Sequence, residues 1–163
     1  MTAHPIHIRD LDRDDESERN FVLSAWKRGY RGEAAEVPHE HGPGCPVLAC
    51  MDRGAYYRLM EARLVPVLER ASVVVACNPT RESQLYGFAA GDRDALHYVY
   101  VKAVFRGRGF ARRLVERVMR DPSARRDPPM PVTHWTHAAE RYAVSHPGEI
   151  VFVPSLLVGD EAA

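Results

Sequence analysis

Tyr98-Val99-Tyr100-Val101-Lys102-Ala103-Val104-Phe105-Arg106-Gly107-Arg108-Gly109-Phe110-Ala111-Arg112-Arg113-Leu114 changes character twice. Its opening valines and tyrosines favour a strand. Gly107 and Gly109 then break the pattern. Phe110, Leu114, Val115, Val118 and Met119 recur at helical spacing, which predicts an amphipathic helix over about Gly109–Arg120. A strand, a glycine turn and a helix together build an anion site. The N–H groups of a first helical turn have no partner inside the helix and carry the positive end of its dipole. Glycines at 107 and 109 let the backbone approach a phosphate closely. Arg106 and Arg108 add charge, and a pyrophosphate is the natural guest.

Two phosphate-loop types do not fit. The stretch lacks the Lys-Ser/Thr ending of a nucleotide-triphosphate loop, and it is not Gly-x-Gly-x-x-Gly. Two other readings stay open. One is a plain glycine turn whose arginines are merely solvated. The other is a non-catalytic nucleic-acid- or protein-binding module that uses Arg106–Arg126, where eight arginines stand against Glu116 and Asp121. No aromatic residues interleave with the arginines of the helix, which weakens a nucleic-acid role. The zero formal net charge also argues against a chain-wide grip on nucleic acid.

The 163 residues predict a single domain over 1–163, with 45% hydrophobic and 27% charged residues, as in globular proteins. No apolar run is long enough for a transmembrane helix, so no membrane partner is expected. Met1–Asp10 lacks the apolar core of a signal peptide, and three cysteines make no disulfide framework, so a cytoplasmic protein is expected. Six acids between Asp10 and Arg19 suit the first turn of a helix.

Working outward, Ile6–Leu11 alternates as a strand and Asp14–Tyr30 reads as a helix with Phe21, Val22, Ala25 and Trp26 on one stripe. Arg31–Met51 is a long loop. Arg53–Arg70 is a second helix with Tyr57, Met60, Leu64 and Leu68 on one face, kinked or split by Pro66. Ser72–Cys77, Leu85–Gly91 and Leu96–Phe105 form an antiparallel meander. Alternation along the last puts Ala95, His97, Val99 and Val101 on one face and Leu96, Tyr98 and Tyr100 on the other. After the helix come a linker (Asp121–Pro131), a strand (Pro131–Trp135), a helix (Ala138–Val144) and a strand (Ile150–Val158) interrupted at Pro154. The fold class is therefore mixed α/β, helices covering both faces of one sheet.

Arg106-Gly107-Arg108-Gly109-Phe110-Ala111 matches Gln/Arg-x-x-Gly-x-Gly/Ala, and the chain here resembles motif A of the GCN5-related N-acetyltransferase superfamily. Val101-Lys102-Ala103-Val104-Phe105-Arg106-Gly107 is similar to the family's Val-x-Pro-x-Tyr/Phe-Arg-Gly approach, with Ala103 in place of the proline. Leu85-Tyr86-Gly87-Phe88-Ala89 resembles the preceding strand. The resemblance is specific over Gln84–Met119. It implies a central mixed, largely antiparallel sheet flanked by helices, and acetyl-CoA as co-substrate. The pantetheine arm would lie on backbone amides of Val99, Val101 and Ala103, and the pyrophosphate on Arg106, Gly107, Arg108, Gly109, Phe110 and Ala111. It further implies an amine-bearing small molecule or protein as acceptor, and leaves room for a homodimer.

In many members a tyrosine in an Ala-x-x-x-Tyr setting protonates the leaving thiolate. Ala138-Ala139-Glu140-Arg141-Tyr142 fits, although Ala143-Val144-Ser145-His146 replaces the usual Gly-Phe continuation. Tyr142 is thus the candidate acid, against a tyrosine that only packs. His97 is a candidate base, with His134 and His137 behind it and a core or solvent-side histidine as the plain alternative. His39, Glu40, His41, Cys45 and Cys50 sit in the loop 37–50. Their spacing does not suit zinc, and the prolines and glycines oppose a regular strand. A plain surface loop and a lid over the acceptor site both stay open, and the loop is expected to hold no metal and to control acceptor specificity.

Overall fold

The computed structural model describes residues 5–36, 51–120 and 129–153. Its elements are β1 (His7–Asp10), α1 (Glu16–Glu36), α2 (Arg53–Arg70), β2 (Ser72–Asn78), β3 (Arg81–Gly91) and β4 (Leu96–Val101). There follow a 3₁₀ turn (Ala103–Phe105), α3 (Phe110–Val118), β5 (Met130–Val132), α4 (His137–Ser145) and β6 (Ile150–Phe152). The strands lie in sequence order in one sheet. β1 to β4 are antiparallel, and β5 and β6 add on in parallel. This is the expected mixed, largely antiparallel sheet.

Alternation along the strands builds both cores. Val73, Val75, Phe88 and Tyr98 face α1 and α2, meeting Trp26, Tyr56, Met60 and Leu64. Val74, Ala76, Ala89 and Val101 face the other way, toward Phe110, Leu114 and Val118 of α3. Each helix has a local reason to stand where it does. Asp52 caps α2 by accepting from the Ala55 N–H at 3.0 Å, and Thr136 caps α4 by accepting from the Ala139 N–H at 3.2 Å. The Arg13 guanidinium donates to the carbonyls of Leu68, Glu69 and Ala71 at 2.6–2.7 Å, closing the C-terminal end of α2.

Several expected boundaries move. α1 runs to Glu36 rather than ending at Tyr30, because Gly32 stands among good helix formers. Pro66 does not split α2. Leu64, Val67 and Leu68 are buried around it, and that packing holds the helix across the missing N–H. The buried ring of α2 is Tyr56, in step with Met60, Leu64 and Val67, and Tyr57 only packs at the margin. β4 stops at Val101 because Ala103–Phe105 turns into 3₁₀. β3 begins earlier, at Arg81.

Leu96 also changes sides. It joins the α3-side cluster with Val99 and Val101 instead of following Tyr98 and Tyr100. The cause is a bulge. Ala90 pairs with Tyr98 and Gly91 with Leu96, so His97 is an extra residue that reverses the parity. At Gly87 the two strands approach so closely that a Cβ would lie 2.3 Å from the Tyr100 carbonyl oxygen. The loop 37–50 with its expected ligands and lid role, most of the linker, and the final strand beyond Val153 lie outside the described residues.

Candidate active site

β4 and β5 run parallel, and among the described residues they stay in register at one pair, Leu96 and Val132. The Thr133 N–H still donates to the Leu96 carbonyl at 3.1 Å, and the chain then leaves for α4. The sheet therefore parts, and a cleft of about 1100 Å³ opens between β4 and α4, closed at one end by the start of α3.

The ladder with β3 decides what β4 offers this cleft. The Lys102 N–H donates to the Tyr86 carbonyl at 2.8 Å. In antiparallel alternation Tyr100 and Tyr98 then spend their backbone groups on β3, and the N–H and C=O of Val99 and Val101 point away, toward the cleft. The Val101 carbonyl accepts from the Arg106 Nε at 3.0 Å. Among the described residues, that leaves the Val99 N–H and C=O and the Val101 N–H as a row of amide groups along the floor.

The floor leads into the glycine turn. Gly107 and Gly109 have φ of 74° and 77°, and nothing lies within 4 Å of a Cβ built on either. Within the protein, glycine is needed there for the left-handed backbone and not to avoid a neighbouring group. Gly109 is the N-cap of α3, and the first helical bond is Arg113 N–H to Gly109 carbonyl at 3.2 Å. The N–H groups of Phe110, Ala111 and Arg112 are thus spare and face the mouth of the cleft. The Phe110 ring is buried and stacks toward Tyr86 and Phe105, so it anchors the helix start and only its backbone is available.

Val99, Val101, Arg106, Gly107, Gly109, Phe110 and Ala111 all line the cleft. Ala103 and Arg108 do not. Ala103 sits in the 3₁₀ turn, and the Arg108 guanidinium lies 6.0 Å over the Phe105 ring. The basic face of α3 is partly spent within the chain, with Arg112 on Glu116 at 2.8 Å and Arg117 on Asp10 at 3.2 Å.

Tyr142 stands at the rim on α4. Its hydroxyl donates to Glu149 at 2.6 Å, its ring stacks on His146 at 4.3 Å, and the Glu149 carboxylate pushes the phenol above its ordinary range. His137, at the start of α4, also lines the cleft, 3.7 Å from Glu140.

His97 is buried and both ring nitrogens are engaged, Nε2 with Asp92 at 2.7 Å and Nδ1 with Thr133 Oγ1 at 3.2 Å. It has no free nitrogen with which to take a substrate proton. Burial works to raise Asp92, but the hydrogen bonds from His97 and from the Asp94 and Ala95 N–H groups outweigh it and hold Asp92 at about 2. His134 is buried under Trp26, Tyr30 and Tyr98, and desolvation, aided by His97, lowers it to about 3. Asp92, Thr133 and Glu149 escaped the sequence reading. The Gly-Asp-Arg-Asp turn hints at Asp92 as a turn former, and nothing in the sequence singles out the other two.

The chain matches no protein-family model and no curated protein. It is similar to solved structures. One is the GCN5-related N-acetyltransferase of Rhodopseudomonas palustris, whose name also carries "aminotransferase, class-II": identity is 18%, coverage 89% of this chain and 82% of that one, TM-score 0.56. Another is apo YjaB from Escherichia coli, with 23% identity, 71% of this chain, 65% of that one and a TM-score of 0.44, so the chain spans just under two thirds of YjaB. A third is yncA of Salmonella typhimurium, solved with its cofactor acetyl-CoA, with 21% identity, 70% and 61% coverage and a TM-score of 0.38. The first of these likenesses establishes the fold. No helix among the described residues is long and apolar enough to cross a membrane.

Proposed function

We propose that the protein is an acetyl-CoA-dependent N-acetyltransferase that moves an acetyl group to a primary amine by direct attack. The observation that supports this best is the continuity of one cleft. Exposed amide groups on the β4 edge run straight into a positive-φ glycine turn and the spare N–H groups of α3. An amide-bearing arm that ends in a pyrophosphate has that shape and that order of needs. The Val99 and Val101 backbone would hold the arm as an added strand holds a sheet edge. Gly107, Gly109, Phe110 and Ala111 would hold the pyrophosphate through N–H groups, and Arg106 would add charge.

In the reaction the amine nitrogen bonds to the thioester carbon, the carbon–sulfur bond breaks and the thiolate takes a proton, while the nitrogen loses one, which restores the donor. Tyr142 is the group we assign as that donor. Its phenol lines the cleft and keeps its proton at neutral pH. The pairing of Arg112 and Arg117 within the chain makes the rival reading, a nucleic-acid-binding basic face, the poorer one. A melting curve with and without acetyl-CoA tests the proposal. A ligand at 100 times its Kd adds about 2.7 kcal/mol, or roughly 5–11 °C for a chain of this size. No shift at millimolar acetyl-CoA sinks it.

A further inference from the structure

The Tyr142 phenol has one proton to give, and in the empty cleft it gives that proton to a carboxylate. Its hydroxyl donates to Glu149 Oε2 at 2.6 Å. The phenol is the donor of the pair, because an ionised carboxylate can only accept. The fold builds this partner in. Gly148, at φ 82°, turns the chain back after α4. The Glu149 N–H then donates to the His146 carbonyl at 3.2 Å, and its carbonyl accepts from the Met130 N–H at 2.7 Å. The backbone under the carboxylate is thus pinned to the end of α4 and to β5, while the residue itself is exposed and lines the cleft. Among the described residues Oε1 takes no hydrogen bond, so that oxygen is open to a ligand or to water.

While Glu149 is charged, it keeps the phenol proton. Its hydrogen bond is the largest influence raising Tyr142, ahead of burial and of its own charge, and Arg112 of α3 pulls the other way. A proton arriving on Glu149 weakens both holds, since a neutral carboxyl is a poorer acceptor. The phenol proton is then free to turn to sulfur. The reaction itself supplies the arriving proton. Nitrogen becomes a far stronger acid once it is bonded to the thioester carbon. Nitrogen and sulfur share that carbon, so a carboxylate one hydrogen bond beyond the group on sulfur is within reach of nitrogen, directly or through one water.

We infer that Glu149 is a catalytic base joined to Tyr142 in a relay that couples loss of the amine proton to departure of the thiolate. Glu149 Oε1 takes the proton that nitrogen sheds, and the Tyr142 O–H bond breaks as its proton goes to sulfur. The carboxyl then turns and returns its proton to the phenolate. One proton has passed from nitrogen to sulfur, and both residues end as they began. This rests on the transferase reading above and on Tyr142 as its acid.

The test uses the full chain and three variants, Glu149→Gln, Tyr142→Phe and the two together, in a CoA-release assay with a primary amine that wild type acetylates. Gln keeps an oxygen for the phenol to donate to but does not take a proton. Turnover in Glu149→Gln should fall by about 10², with the melting shift by acetyl-CoA unchanged. Because the two residues pass one proton, the double variant should be at most about threefold slower than the slower single one. Turnover in Glu149→Gln within about twofold of wild type overturns the inference and leaves Glu149 a support for the tyrosine. A double variant whose loss is the product of the single losses also overturns it, since each residue would then act alone. Wild type that shows the melting shift yet releases no CoA over a panel of primary amines overturns the transferase reading, and this inference with it.

Discussion

Gly109 separates the two parts of the phosphate-site argument, because its Cβ would meet nothing within 4 Å while its φ is 77°. Gly109→Ala adds no clash with the protein itself and leaves the spare N–H groups in place. It forces a side chain into the left-handed region, at about 1–2 kcal/mol, a fall of roughly 2–8 °C in Tm. Gly109→Glu carries the same backbone cost and brings a carboxylate to the anion site. Two unit charges about 6 Å apart repel by about 3 kcal/mol at an effective dielectric of 20. Screening at this exposed turn reduces that, so we expect acetyl-CoA affinity to drop about 10- to 100-fold in the Glu variant, or about 1.4–2.8 kcal/mol. The Ala variant should lose much less. Calorimetric titration with acetyl-CoA at two salt concentrations reads both effects, and the gap between the variants should narrow at high salt. Equal Kd values for wild type and Gly109→Glu would refute the assignment of this turn, whatever the melting temperatures do.

Tyr142→Phe keeps the ring on His146 and removes the proton donor. Turnover should fall by about 10² in a CoA-release assay while the acetyl-CoA melting shift is unchanged, and undiminished turnover leaves Tyr142 a packing residue. Gly87→Ala drives a methyl into the Tyr100 carbonyl, 2.3 Å away, and should cost about 2–3 kcal/mol, seen as a fall of roughly 4–12 °C in Tm. His134 supplies a pH dependence. Its folded pKa of about 3 lies below the ordinary 6.5, so between those values the unfolded chain binds a proton that the native one refuses. Stability is complete above pH 6.5 and falls toward pH 3 with a slope of at most about 1.4 kcal/mol per pH unit from this group. Urea unfolding of wild type against His134→Gln should show that slope vanish.

The strand, glycine turn and helix were readable because they are neighbours: the β-branched strand, two glycines and a helical stripe lie within one short stretch, and each acts locally. The meander was readable for the same reason. What the sequence hid depends on distant contacts. His97 looked like a titratable residue on a cleft face, but a bulge opposite Gly91 and partners at Asp92 and Thr133 commit both its nitrogens. The same bulge carries Leu96 across the sheet, which strict alternation cannot foresee. Pro66 looked like a break, yet packing on either side outweighs one lost hydrogen bond. Tyr142 was singled out as a candidate through the family's Ala-x-x-x-Tyr setting, but its partner Glu149 comes from the approach to β6 and no local pattern announces it.

The parting of β4 from β5 has a cost for the free protein. It leaves amide groups of a Leu-His-Tyr-Val-Tyr-Val strand without a neighbouring strand, and such an edge is a template for another chain to pair with. Among the described residues, α4 and its cap stand across the gap. A co-substrate whose arm pairs with Val99 and Val101 would seal that edge. Bound acetyl-CoA would then work against self-association as well as supply the acetyl group, and aggregation during concentration would fall with occupancy of the cleft.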